Sequence, residues 1–182
     1  SATGSATAME APGPILDCVA KDNARPICKF QSPEDIVALP GNEKLAFVAG
    51  QYINIILEDG AKRAFSFANP PADPRQPPST AGDVIELHVR LIPGGRFTTH
   101  VFEGMKVGDT LDFEGPLGRF TLHDSERPIL FLAGATGFAP IKSILEDAFR
   151  RGVRRPMELY WGVRRETDLY LLDTLAGWQR EH

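Results

Sequence analysis

The sequence predicts an all-β antiparallel unit followed by an α/β unit built on a parallel sheet, and three observations predict it. From Pro14 to about Asp124, short apolar runs alternate with Gly, Pro and Asp, the punctuation of strands joined by turns. After Pro128 the texture changes: Ile129–Ala133 is a continuous apolar run ending in Gly134, and Ile141, Ile144, Leu145 and Ala148 then recur at helical spacing. A second strand and helix follow, over Met157–Trp161 and Asp168–Trp178. Strand–helix alternation requires crossover connections and therefore parallel strands. With 182 residues, 42% of them hydrophobic and 24% charged, the chain can bury a core as one large domain or two small ones.

Each element has its own justification. Residues 1–13, SATGSATAMEAPG, are small and polar without apolar period, and predict a disordered tail. The β unit is expected over residues 14–124 and the α/β unit over 125–182. Strands between Ile15 and Leu39 are assigned only by elimination. Gln51–Leu57 follows a Gly-Gln turn and is close to two-sided apolar, as in a buried strand. Arg63–Phe67 is a short strand closed by Asn69-Pro70, and the loop from Pro70 to Thr80 is too proline-rich for a central strand. Val84–Leu91 alternates: Ile85, Leu87, Val89 and Leu91 face one way, Val84, Glu86, His88 and Arg90 the other. The second face is polar and is expected to meet water or a ligand. A short helix is predicted to begin near Phe97 or Thr98. In the α/β unit, Met157–Trp161 reads as a buried strand, Gly162–Glu166 as a loop, and the final helix carries Leu171, Leu172 and Leu175 on one side.

Charge and cysteine content narrow the function classes. A net charge of -4 gives no electrostatic case for gripping nucleic acid. No apolar run approaches the roughly 20 residues of a membrane-spanning helix, and no secretory pattern opens the chain, so a cytoplasmic protein without a membrane partner is expected. Cys18 and Cys28 close at most one disulfide and cannot supply the four thiolates of an iron–sulfur cluster. No metal site is expected within the chain.

Three motifs carry chemistry. In Arg63-Ala64-Phe65-Ser66, a strand projects Arg63 and Phe65 to one face and Ser66 to the other. A guanidinium can clamp phosphate, the ring can stack on a flat heterocycle, and the hydroxyl can bond a ring nitrogen. In Pro93-Gly94-Gly95-Arg96-Phe97-Thr98, paired glycines let backbone amides approach a ligand, and the helix start offers free N–H groups suited to a pyrophosphate. In Gly134-Ala135-Thr136-Gly137-Phe138-Ala139-Pro140, between a strand and a helix, the glycines permit a tight turn and Pro140 suits the first helical turn. This is neither the Gly-x-Gly-x-x-Gly fingerprint nor a Walker loop. Taken singly, the first also fits a surface Arg beside an ordinary core Phe, the second a glycine hairpin turn followed by a capped helix, and the third the glycines of any βα unit.

Taken in order, with Gly115-Pro116-Leu117-Gly118 between the second and third, they resemble the ferredoxin–NADP reductase superfamily. The wording is nearest to the reductase components of CDP-6-deoxy-glucoseen reductase and of phenol or benzoate oxygenase systems. The stretches AGQYINIILEDGAKRAFSFAN, HVRLIPGGRFTTHVFEGMKVGDTLDFEGPLGRF, LAGATGFAPIKSILEDA and ELYWGVRRETDLY carry the likeness over residues 43 to 178. The resemblance implies a Greek-key barrel that binds FAD, then an NAD(P)-binding domain that is incomplete, as though the chain were cut short. It further implies an enzyme in which NADH or NADPH gives a hydride to flavin N5 and electrons pass on to an iron–sulfur protein or domain. A stand-alone flavin reductase and a non-enzymatic flavin-binding module remain the alternatives.

The resemblance assigns roles by position. Arg63 would neutralise the flavin phosphate, Phe65 would stack on the isoalloxazine where the family usually has Tyr, and Ser66 would bond near N5. Ala64 lies between them. His88, Val89 and Arg90 would line the flavin and its ribityl chain. Gly94, Gly95, Arg96, Phe97 and Thr98 would hold the pyrophosphate, chiefly through backbone amides. Thr136 would face the nicotinamide in a loop shaped by Gly134, Gly137 and Pro140, and Gly162 with Arg164 would form the second dinucleotide contact. Ser66 and Thr136 are the residues expected nearest the chemistry.

Overall fold

Among the described residues, eight strands and three α-helices form where the apolar period, the glycines and the prolines permit. A computed structural model describes residues 27–31, 34–38, 45–71 and 84–182. The expected tail, Cys18 and most of the Pro70–Thr80 loop lie outside the described residues.

The β unit holds two antiparallel sheets. Strands β1 (Ile27–Gln31), β2 (Glu34–Ala38) and β5 (Val84–His88) form one, in the order β1-β2-β5. Strands β3 (Tyr52–Ile56), β4 (Lys62–Ser66) and β6 (Asp112–Leu117) form the other, in the order β4-β3-β6. A Phe67↔Leu87 bridge and the Ala68 N–H to the Glu86 carbonyl at 2.8 Å stitch β5 beside the end of β4. The result is a six-strand, barrel-like antiparallel unit whose order departs from chain order, the Greek-key arrangement expected.

Its core is filled from alternate positions. Ile53, Ile55, Phe67, Ile85, Leu87, Val89, Phe97 and Val101 are buried together. β3 was expected to be two-sided apolar, but only Ile53 and Ile55 are fully buried, because Tyr52, Asn54 and Ile56 face the half-exposed side. β5 ends at His88, three residues sooner than expected. A turn at Ile92–Gly95, with the Gly95 N–H on the Ile92 carbonyl at 2.8 Å, bends the chain away and leaves Leu91 40% exposed. The short helix α1 (Arg96–Thr99) starts one residue before the expected point and runs into a π-helical turn at His100–Gly104. β6 was not anticipated.

In the α/β unit, β7 (Ile129–Gly134) and β8 (Met157–Gly162) pair in parallel through a crossover that contains α2 (Phe138–Arg150). Ile141, Ile144 and Leu145 of α2 are buried with Phe131 and Ala49, and Trp178 packs against them. β8 is half exposed, not fully buried, because α2 covers one face and the other is bare: Leu130 is 59%, Leu132 71% and Tyr160 60% exposed. The last helix, α3 (Leu172–Glu181), begins four residues later than expected. Leu171 adopts a left-handed backbone (φ 53°), and an extended segment precedes it. Leu172 is consequently exposed, so the expected leucine face does not form. Among the described residues no helix is long and apolar enough to cross a membrane.

Candidate functional site

The β3–β4 ladder pairs Phe65 with Ile53 and Arg63 with Ile55, and Ser66 with Tyr52. Directly opposed residues share a face. Arg63 and Phe65 therefore share one and Ser66 takes the other. Phe65 is half-buried, with its ring centroid 5.1 Å from that of Phe97, which joins the first motif to the second. Arg63 and Ala64 are exposed, and among the described residues the Arg63 guanidinium donates to the carbonyl of Lys62, at 2.8 Å, and meets no carboxylate. Arg96 is differently placed: its guanidinium meets Asp59 at 2.6 Å, and that hydrogen bond holds the Asp59 carboxyl below its ordinary range.

Gly94 adopts φ 74°, which favours glycine, and at Gly95 a Cβ would fall 2.6 Å from Thr98 Oγ1. The Gly95 N–H was expected to serve a pyrophosphate, but the turn already uses it. The Thr98 hydroxyl is likewise occupied, bonded to the Ile92 N–H at 3.1 Å and the Ile92 carbonyl at 3.3 Å. The N–H groups of Arg96, Phe97 and Thr98 are the helix-start donors that keep no acceptor among the described residues. Phe97 and Val89 side chains belong to the core, so they can offer a ligand only backbone.

His88 departs most from expectation. Its side chain is 0% exposed, with Nε2 2.9 Å from Glu86 Oε1 and Nδ1 2.6 Å from the Tyr170 hydroxyl. The polar face of β5 thus meets neither water nor an open site but the α/β unit. Lys142 from α2 donates to Glu86 at 3.0 Å, to Glu146 at 3.2 Å and to the Ala68 carbonyl at 3.3 Å, and the Ser143 hydroxyl donates to the Asn69 carbonyl at 2.7 Å. Burial pushes the Glu86 carboxyl up, but the His88 bond and the Lys142 ammonium outweigh it, and the net direction is down. For Lys142, burial pulls down and Glu86 and Glu146 push up, with a net rise. Burial keeps Glu146 above its ordinary range despite Lys142. Arg90 remains half-exposed, 3.9 Å from Asp168.

The third motif crowns the parallel sheet. Gly134 and Gly162 pair in register at the carboxyl ends of β7 and β8. A 3-10 turn at Ala135–Gly137 then leads into α2, with Pro140 in its first turn. A Cβ at Gly134 or Gly137 would meet nothing within 4 Å, so space is open above the loop. The Trp161 indole N–H holds the Ala135 carbonyl at 2.8 Å from beneath, and Trp161 stacks on Phe138 at 4.2 Å. Thr136 is half-buried and Arg164 exposed beyond Gly162. Carboxyl ends of parallel strands are where such sheets receive ligands.

Residues 36–122 match the oxidoreductase FAD-binding domain, and residues 131–182 the oxidoreductase NAD-binding domain. The chain belongs to the ferredoxin–NADP reductase superfamily. Among superfamily relatives, it is 46% identical over 143 residues to terephthalate 1,2-dioxygenase reductase component 2 of a Comamonas species, covering 78% of this chain and 40% of the relative. It is 36% identical over 163 residues to the CDP-6-deoxy-L-threo-D-glycero-4-hexulose-3-dehydrase reductase of Yersinia pestis, covering 85% and 46%. Its structure aligns with an Amycolatopsis cytochrome P450 reductase at a TM-score of 0.76 and 34% identity, over 87% of this chain and 48% of that one. The chain spans less than half the length of these relatives.

Sequence reasoning missed Glu86, Lys142, Phe138, Trp161 and Tyr170 as parts of the contact between the β unit and the α/β unit. One signal was present: Phe138, Ile141, Lys142 and Leu145 follow helical spacing, so Lys142 falls on the apolar stripe and needs a buried partner.

Proposed function

We propose that the chain is the flavin- and nucleotide-binding part of an NAD(P)H-dependent reductase that passes electrons through FAD to an iron–sulfur acceptor. The observation that supports this best is the coexistence of two differently built seats on one chain. One is the Arg63–Phe65 strand packed on the Gly94–Thr98 turn; the other is the open crest at Gly134 and Gly162. The first fits FAD by its donors: a permanently charged guanidinium at Arg63 and three N–H groups at Arg96–Thr98, without carboxylate or acceptor among the described residues, suit phosphate oxygens. When bound, the flavin supplies the redox chemistry, accepting a hydride and releasing electrons singly.

This chain's residues bind and orient. Arg63 would take phosphate, Phe65 would offer the exposed side of its ring, and Ser66 would present its hydroxyl from the opposite face. Gly134, Thr136, Gly137 and Gly162 would seat the nicotinamide dinucleotide, and Arg164 would meet its phosphate or ribose. NADH is preferred to NADPH. The acceptor class follows the names of the relatives, which are reductase components of oxygenase and dehydrase systems. A cytoplasmic location belongs to this reading.

The test is to reconstitute the protein with FAD and add NADH. A yellow protein whose absorbance bleaches is expected. Failure to take up FAD overturns the reading; uptake without bleaching favours a flavin-binding module, and release of reduced flavin favours a stand-alone flavin reductase.

A further inference from the structure

The two halves touch where the two seats approach each other, and one side chain makes the link. The Phe67↔Leu87 bridge places Ser66 beside His88 across neighbouring antiparallel strands. Over His88 lies Tyr170, its hydroxyl 2.6 Å from Nδ1 and its ring edge-on to the imidazole at 5.0 Å. The same ring packs edge-on against Trp161 at 4.8 Å and Phe138 at 5.9 Å. Trp161 holds the Ala135 carbonyl, and Phe138 directly follows Gly137. An unbroken line of contacts thus runs from the Ser66 edge of the barrel to the Ala135–Gly137 loop.

Two further observations single this line out. Ala135 (φ 46°) and Leu171 (φ 53°) are the non-glycine residues with positive φ among the described residues; Ala135 lies at the loop end of the line and Leu171 directly follows Tyr170 at its middle. Such conformations persist where surrounding contacts over-determine them. The hydrogen-bond polarity is also fixed. The Glu86 carboxylate only accepts, so His88 Nε2 must carry the proton, and in the neutral ring Nδ1 accepts from the Tyr170 hydroxyl. Asp168, 3.9 Å from Arg90, adds a second tie from the same segment.

We propose that Tyr170 is a positioning residue that, through its bond to the buried His88, sets the Ala135–Gly137 loop at a defined distance from the Ser66 edge of the barrel. The consequence for catalysis rests on the function proposed above; the placement of the loop does not. Loss of the hydroxyl leaves the aromatic packing in place and frees the loop to shift; where a misplacement of about 1 Å can cost about a hundredfold in rate, a smaller shift costs about tenfold.

The experiment compares the full chain with Tyr170→Phe, His88→Gln and the double variant. In flavin-free protein, hydrogen exchange of the Ala135–Phe138 amides is expected to quicken about tenfold in Tyr170→Phe, and the wild-type His88 nitrogen shifts should report the Nε2–H tautomer. In FAD-loaded protein, the rate of flavin reduction by NADH is expected to fall about tenfold with FAD retention and NADH affinity unchanged, and with the thermal midpoint lowered by only about 2–6 °C, as one unpaired buried nitrogen requires. The double variant should be no slower than the slower single one, since both remove one bond. Unchanged loop exchange overturns the proposal, as do additive effects or an equal loss of FAD retention and thermal stability. If Tyr170→Phe does not fold, His88→Gln measures the same link from the other side. If wild-type protein holds FAD but NADH does not reduce it, the functional reading falls, and the exchange comparison alone decides the placement.

Discussion

Arg63 and Arg96 are both arginines beside the same turn, yet the structure treats them differently. Arg96 is engaged by Asp59 at 2.6 Å, whereas Arg63 donates to its neighbour's carbonyl and meets no carboxylate among the described residues. A guanidinium without a carboxylate is the one available to an incoming phosphate. Arg63→Ala should weaken FAD binding by about 2 kcal/mol, some thirtyfold, the usual worth of a hydrogen bond to a charged group. Because Arg63 is exposed, the thermal midpoint should barely move. Fluorescence titration with FAD beside a melting curve reads both, and a parallel loss would make Arg63 structural. The positions of Arg63, Phe65 and Ser66 were legible from strand alternation alone. The burial of His88 was not, because its partner Tyr170 lies 82 residues further along the chain and no local pattern reports such a pairing.

At the scale of elements, α2 is anchored to the barrel by Lys142, whose side chain is 9% exposed and shared between Glu86 and Glu146. Lys142→Met should cost about 3 kcal/mol, since it leaves the buried Glu86 carboxylate without its cation. The wild-type pH dependence follows from the direction at Glu86. A carboxyl whose folded pKa lies below its unfolded value contributes stability that is present above the unfolded value and lost as pH falls through the folded one. Stability should therefore decline on acidification below the ordinary 4.5 of glutamate, with Glu146 opposing the trend because its pKa is raised. In Lys142→Met, where Glu86 loses a cation that lowers it, the acid decline should shrink, which urea melts across the acid range will show; an undiminished acid limb would remove Lys142 from the account. The main strands and α2 were legible because their apolar periods are long and clean. β6 was not: the alternation of Leu111-Asp112-Phe113-Glu114 is cut after four residues by Gly115-Pro116, and the segment joins the sheet through the ladder that β3 supplies. The start of α3 was misplaced because Leu171, Leu172 and Leu175 have helical spacing, while Leu169 is extended and Leu171 left-handed on either side of Tyr170, which is bonded to His88.

Across the whole molecule, the barrel buries its core on all sides, while the two-stranded parallel sheet is covered on one face. Leu130, Leu132 and Tyr160 stand exposed together on the other. An apolar dye such as anilinonaphthalene sulfonate should bind the native protein there. Leu132→Lys should reduce that binding without lowering the thermal midpoint, and unchanged dye fluorescence in the variant would place the dye elsewhere. The alternation of apolar residues in Ile129–Ala133 looked like a strand buried on both sides because every position is hydrophobic; only the three-dimensional neighbours distinguish a covered face from a bare one.

The ladders also dictate an order of assembly. Ile129 and Met157 find each other across a single helix, whereas Tyr52 must meet Leu117 across a stretch that contains β4, β5 and α1. Closing the shorter loop costs less entropy, and topologies rich in near-neighbour pairing fold faster. On refolding from denaturant, pulse-labelled amides of β7, α2 and β8 should gain protection before those of β6. The α/β half would then serve as the ready surface on which the β5 edge of the barrel, with His88, is the last part to come to rest.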